Sequence, residues 1–230
     1  MVLKIVKTIW PVMLTYVAIA APCGMIMAQT GMEPWMVFAL SSTFVTGSGQ
    51  FMICNLWLAG VPAASIVASV AAISSRFALY SASIAPHLMG ASKRQTLAVA
   101  ATLTEEAYGI SLGKLVEGED WGPLESFVLN VILIATWGVS CTTGAIVGAV
   151  VDVPTAIAAF VCTSLFICLL FSQRLSRGNV VAAVSGAVSV AVCKFLGLAN
   201  IAVPASVVVG IAIALACDAV FDGRGARDAR

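Results

Sequence analysis

Charge is what this 230-residue chain has least of. Asp, Glu, Lys and Arg make up 10% of it, where a soluble domain carries roughly a quarter. So few ions cannot cover the surface of an ordinary water-soluble globule. The charges that exist nearly cancel, twelve basic against eleven acidic, and no basic run is interleaved with aromatics. That excludes the electrostatic footprint of a nucleic-acid binder. Histidine occurs once, at His87, so a histidine-based metal site has no partners. The seven cysteines, Cys23, Cys54, Cys141, Cys162, Cys168, Cys193 and Cys217, never form a C-x-x-C pair and lie scattered in apolar stretches. They read as free, small, packed residues. Neither a metal nor a cofactor is expected. A nucleophile with its base and a phosphate loop are also missing, so the chain does not read as an enzyme.

What is present is apolar sequence: 60% of the residues are hydrophobic, and the mean hydropathy is +1.03. It comes in segments of about twenty residues, the length that crosses a hydrocarbon core of about 30 Å. These run near 8–30, 35–59, 62–88, 95–113, 124–150, 153–172, 179–198 and 201–219. The first, preceded by Lys4 and Lys7, is too long for a secretion signal and lacks a convincing cleavage site, so it reads as a retained membrane helix. The expected fold is an all-α integral membrane protein, one transmembrane domain over residues 1–221 with a short polar tail at 222–230.

Lys and Arg gather in four places: Lys4 with Lys7, Lys93 with Arg94, Arg174 with Arg177, and Arg224, Arg227 and Arg230 in the tail. The positive-inside rule puts all four, and both termini, on the cytoplasmic side. Eight straightforward crossings do not satisfy this. About six full transmembrane helices plus two interrupted or re-entrant segments, 34–60 and 124–151, do; the loop bearing Glu117, Glu119, Asp120 and Glu125 then falls outside. The same two segments carry polar, glycine-bearing middles, Thr46 to Gln50 and Trp137 to Gly148. Backbone freed from a helix at membrane depth is tolerated only inside protein or along a cavity. Eight crossings with broken helices remains the alternative. Residues 35–88 and 124–172 share the order of an interrupted segment and then an unbroken one, which hints at an internal repeat.

The chemistry-bearing residues lie within these segments. Ser65, Ser69, Arg76, Tyr80 and Ser83 share one helical face over 62–88. Arg76 sits well inside, where a charge costs about 2.5 to 3.5 kcal/mol and needs a partner. Glu105 and Glu106 in the next segment are the candidates, beside a Gly109-x-x-x-Gly113 spacing that permits close helix approach. Two readings stay open: an ion pair that only joins helices, or one carboxylate on Arg76 with the other binding an ammonium group or a proton. In the stretch Gly47, Ser48, Gly49, Gln50 the glycines free the backbone and a half-helix would aim its positive end at a carboxylate. Pro22 and Gly24 can break the first helix in the same way, or only kink it. Ser140, Thr142 and Thr143 are placed to satisfy neighbouring helices or backbone. The candidate substrate-binding residues are therefore Pro22, Gly24, Gly47, Ser48, Gly49, Gln50, Arg76, Tyr80, Glu105 and Glu106.

The order of the pieces PCGMIMAQTGM, TGSGQF, SRFALYSASIAPHL, TEEAYGI and TTGAIVGAVV resembles the AzlC-type branched-chain amino-acid permease family over nearly the whole chain. Ser74, Ser75, Arg76 and Phe77 depart from that family's Asn-Leu-Arg-His, and Thr104, Glu105 and Glu106 from its Thr-Asp-Glu. The resemblance implies a permease of the bacterial inner membrane that exports branched-chain or other small neutral amino acids. It also implies a small hydrophobic AzlD-type partner protein. Proton coupling through one glutamate fits the buried acids. A channel for small solutes or ions would use the same glycine-broken segments, and a scaffold that transports nothing would need no buried charge.

Overall fold

A computed structural model of the chain describes residues 1–88, 90–117, 121–150 and 177–197, with a few isolated positions between 160 and 217. The segments 153–172 and 201–219 lie largely outside the described residues, as do Glu119, Asp120, Arg174 and the tail 222–230. Every regular element among the described residues is a helix. The chain forms two compact units, Met1–Asn55 with Ser74–Cys162, and Leu56–Ile73 with Thr163–Arg230.

The first unit is built around α1 (Val2–Gln29) and α8 (Pro123–Val150). Both are uninterrupted, and at 28 residues each is long and apolar enough to cross a membrane. Their contact is made by glycine. A Cβ added to Gly24 would fall on the Cys141 carbonyl, one added to Gly144 would fall on the Ala21 carbonyl, and one on Gly148 would lie 3.0 Å from Met25 Cα. Backbones this close gain dispersion contact that larger side chains would forbid, the main attraction available where lipid is as apolar as the protein. The Tyr16 ring meets Trp137, Ala21 meets Gly144 and Met25 meets Gly148, so the two helices run parallel.

Two expectations change here. The Pro22–Gly24 pair does not break α1; Pro22 is carried inside a continuous helix. Nor is α8 interrupted at Trp137 to Gly148, because its glycines are spent on packing. Thr142 and Thr143 return their hydroxyls to Gly138 O and Val139 O at 2.7 and 2.8 Å, which satisfies polar side chains within the helix. Gly109 and Gly113, by contrast, mediate no close approach, since a Cβ on either would meet no described neighbour within 4 Å.

The breaks lie elsewhere. α2 (Pro34–Thr43) ends at Phe44 and α3 begins at Gly47, running to Leu58. The segment 62–88 is only kinked: α4 (Ala63–Ser74) and α5 (Arg76–Ile84) are joined through Ser75, which keeps helical dihedrals (φ −57°, ψ −24°), and with the 3-10 turn over Ala85–Leu88 they make a third span of 26 residues long and apolar enough to cross a membrane. The segment 95–113 divides at 102–104 into α6 (Lys93–Ala101) and α7 (Glu105–Val116). Ser92 starts α6 with a reciprocal cap to Gln95, and Thr104 starts α7 by accepting from Ala107 N at 3.1 Å.

Contacts along α5 show that α6 and α7 fold back on each other. Val99 and Leu103 pack with Ile84 and Leu88 at the far end of α5, yet Glu105 meets Arg76 at its start. From there Tyr108 passes Tyr80 and Ser83, and Leu115 returns to the Ile84 cluster. At 1.5 Å per residue α6 and α7 rise about 14 and 18 Å, roughly half a bilayer core each. Phe127, near the start of α8, joins the same cluster. With α1 and α8 parallel, this brings Lys4, Lys7, Lys93, Arg94 and Glu117 to one end of the unit. Glu117 was expected at the end opposite Lys4; the parallel glycine packing puts it at the same end.

The second unit contains most of α4 together with α9 (Arg177–Phe195). A Cβ on Gly210 would lie 3.2 Å from Ala182 O, so glycine again sets the closest approach. Val180, Val184, Val188 and Val192 form a one-sided apolar stripe on α9. Cys23, Cys54, Cys141, Cys193 and Cys217 form no disulfide among the described residues, and Cys162 and Cys168 lie outside them.

Candidate functional site

The two breaks each start a new helix, and those two helix beginnings meet at the Ser75 kink. The first turn of α3 carries Ser48, α5 begins with Arg76, and α7 begins with Glu105 and Glu106. Arg76 joins them. Its Nη2 lies 2.7 Å from Glu105 Oε2 and its Nη1 donates to Glu105 Oε1 at 3.1 Å, a two-pronged pair, while Nη2 also donates to Ser48 Oγ at 2.8 Å. The guanidinium fork matches a carboxylate in this way, and the fixed geometry adds specificity to the charge. Arg76 Nε is buried and has no hydrogen-bond partner.

The remaining carboxylate is held differently. Glu106 Oε2 accepts from the Tyr16 hydroxyl at 2.5 Å, and the same hydroxyl oxygen is 3.2 Å from Thr104 Oγ1. Glu106 itself is exposed in the described structure, whereas Tyr16 is buried. The adjacent acids therefore differ: Glu105 has both oxygens on Arg76, and Glu106 has one oxygen on a phenol and one uncommitted. Both sit in the first turn of α7, where the positive end of the helix dipole favours negative charge.

α8 supports the other tip. Trp137 donates its indole N–H to Gln50 Oε1 at 2.9 Å, and Ser41 donates to the same oxygen at 3.3 Å. Gln50 Nε2 donates to Phe44 O at 2.6 Å, so this fully buried amide staples the end of α2 to the start of α3. Gly47 is where the Trp137 ring lies; an added Cβ would come within 2.7 Å of it. At Gly49 a Cβ would meet Thr46 and Phe44 at 2.8 and 3.0 Å. Thr46 caps α3, its Oγ1 accepting from Gly49 N at 3.2 Å and its carbonyl from Gln50 N at 3.0 Å. The amides of Gly47 and Ser48 have no acceptor within the helix.

Of the ten residues expected to bind substrate, the structure brings Ser48, Arg76 and Glu105 into hydrogen-bond contact, while Glu106, next to Glu105 in the chain, bonds Tyr16 instead. Gly47, Gly49 and Gln50 build the turn that presents Ser48. Tyr80 stacks on Tyr108, with ring centres 4.6 Å apart, one turn away along α5. Gly24 belongs to the α1–α8 contact, and Pro22 lies inside continuous α1. Tyr16 and Trp137 were not anticipated. The sequence holds a faint signal for both, an aromatic with a polar tip in the middle of an apolar run, where the hydroxyl or indole N–H must find a partner.

Replacing Gln50 with Leu leaves the buried Trp137 Nε1 without its acceptor, while Phe44 O keeps the Thr46 amide. A buried polar group so stranded costs about 1 to 3 kcal/mol. A clearly lowered thermal midpoint of the purified protein in detergent is expected, and an unchanged midpoint would show that Gln50 does not hold the break together.

An ion pair and a second carboxylate set among long apolar helices are the kind of group that membrane transport proteins keep for a polar solute. The chain belongs to the AzlC protein family, which matches residues 11–151, more than half of its length. Every residue of the site just described falls within that match. The family assignment and the long apolar helices make it a multi-pass membrane protein related to branched-chain amino-acid transport. No curated protein and no solved structure gives a match to the chain.

Proposed function

We propose that this protein is a permease for small neutral amino acids, branched-chain ones among them, that moves them outward across the bacterial inner membrane. The observation that carries the reading is the unequal commitment of two neighbouring acids. Glu105 is neutralised by Arg76, which leaves Glu106 as the group free to receive an ammonium ion or a proton. A zwitterion needs a second pole, and the first amides of α3 with the unpartnered Arg76 Nε supply donors for its carboxylate. Apolar side chains around such a site discriminate one methylene by only about 1 to 3 kcal/mol, so mixed specificity is expected.

In this reading 93–116 enters the membrane from the cytoplasmic end and returns to it, placing its tip at the midplane. The segment 34–60 supplies the facing tip, and both termini are cytoplasmic. Proton coupling runs through Glu106, and the AzlD-type partner implied by the family resemblance completes the transporter. The test is counterflow of labelled leucine, isoleucine and valine into proteoliposomes, with and without that partner. Saturable exchange by the wild type, abolished in Glu106→Gln protein that still purifies as a folded species, is the expected result. Conductance without saturation, or undiminished exchange in the variant, would sink the reading.

A further inference from the structure

The roles assigned so far leave Tyr16 idle. It lies midway along an otherwise apolar α1, is 6% exposed, and would carry the full cost of a buried hydroxyl if it had no partner. Its oxygen touches two groups at the beginning of α7, Glu106 Oε2 at 2.5 Å and Thr104 Oγ1 at 3.2 Å. A phenol has one proton, and the shorter, charge-assisted contact takes it. Thr104 Oγ1 meanwhile accepts from Ala107 N, so its own hydrogen is free to point at the phenol oxygen. Cap, phenol and carboxylate thus form one hydrogen-bonded chain.

The two ends of that chain differ in rigidity. Tyr16 stands on the α1–α8 pair, where glycine brings backbone against backbone and the Trp137 ring sits edge-on to the phenol at 5.2 Å. Glu106 is exposed at the start of α7, with three rotatable bonds between backbone and carboxylate. A carboxylate left alone there would sample several rotamers. Held by one oxygen, it presents the other in a fixed direction.

We propose that Tyr16 is the positioning residue for Glu106: its hydroxyl fixes Oε2 so that Oε1 faces the ammonium group of an amino-acid substrate. This rests on the reading of Glu106 given under Proposed function. The phenol therefore acts on selectivity for the ammonium group and leaves the carboxylate pole untouched.

The experiment compares equilibrium binding of leucine and of 4-methylpentanoate, which is leucine without its amino group, to the purified full-length protein. Wild type is expected to prefer leucine. Tyr16→Phe keeps the ring against Trp137 and removes only the hydroxyl; it should weaken leucine binding by about tenfold, the scale of one charge-assisted hydrogen bond, and leave 4-methylpentanoate unchanged. In a Glu106→Gln background the same substitution should change neither ligand further, because contacting residues in one network are not additive. Equal weakening of both ligands, or an undiminished effect in the Glu106→Gln background, would show that Tyr16 only packs, and the proposal falls. A wild type that does not prefer leucine overturns the Glu106 reading itself, and the role of Tyr16 goes with it. The wild-type comparison thus separates the two failures.

Discussion

Arg76→Ala protein is expected to lose transport altogether and to be the least stable of the site variants. The substitution takes the guanidinium from both oxygens of Glu105 and from Ser48 Oγ, so the beginnings of α3 and α7 lose their common partner at once. Stranding one member of a fully buried pair costs about 3 to 5 kcal/mol. Here the side chains of Arg76 and Glu105 retain 26% and 30% of their accessible surface. Screening lowers the figure accordingly, to about 2 kcal/mol. Thermal midpoint in detergent reads the stability and counterflow reads the transport. The decisive comparison is with the Arg76→Ala, Glu105→Ala double variant. With no uncompensated carboxylate left behind, it should recover part of the midpoint while transport stays at background. Full transport by the double variant would reduce the pair to a helix clamp.

Gly144→Val carries the second large effect. Even one added carbon at Gly144 meets the Ala21 carbonyl, a backbone atom that cannot turn aside as a side chain would. Overpacking in yielding cores costs about 1 to 3 kcal/mol, and a rigid obstacle puts this substitution at or beyond the upper end. The parallel α1–α8 pair must separate, which carries Tyr16 away from Glu106 and Trp137 away from Gln50. Expected are loss of monodisperse protein on size exclusion and a collapsed thermal midpoint. Gly109→Val is the control, since a Cβ there meets no described neighbour and the yield should hold. Equal tolerance of both substitutions would mean that α1 and α8 are not in backbone contact.

Several parts of this molecule were legible without coordinates because they depend on local chemistry. An intramembrane arginine needs a partner whatever the fold, and only Glu105 and Glu106 lie in a neighbouring apolar segment. Glycines beside Gln50 announce a break because a helix interior has no use for them, and the break falls at 44–46, just before them. Where the reading went astray, the same residue type served two purposes. Gly24, Gly144 and Gly148 carry the composition of a break but are used for close packing, whereas Gly109 and Gly113 have the spacing of a packing motif and pack against nothing described. The break at 102–104 contains no glycine or proline, so composition gave no warning of it. It occurs where Thr104 supplies a cap.

By itself the sequence determined that the chain is all helical, that it lives in a membrane, and that a small set of ions must meet in its interior. These follow from transfer free energies, which depend on residue type and on the length of each run. Only the tertiary structure decided which acid Arg76 takes, that Tyr16 holds the other, and that Glu117 lies at the same end of the unit as Lys4. Those outcomes depend on which backbones approach, and glycines tens of residues apart in the chain settle that by contact across the α1–α8 interface.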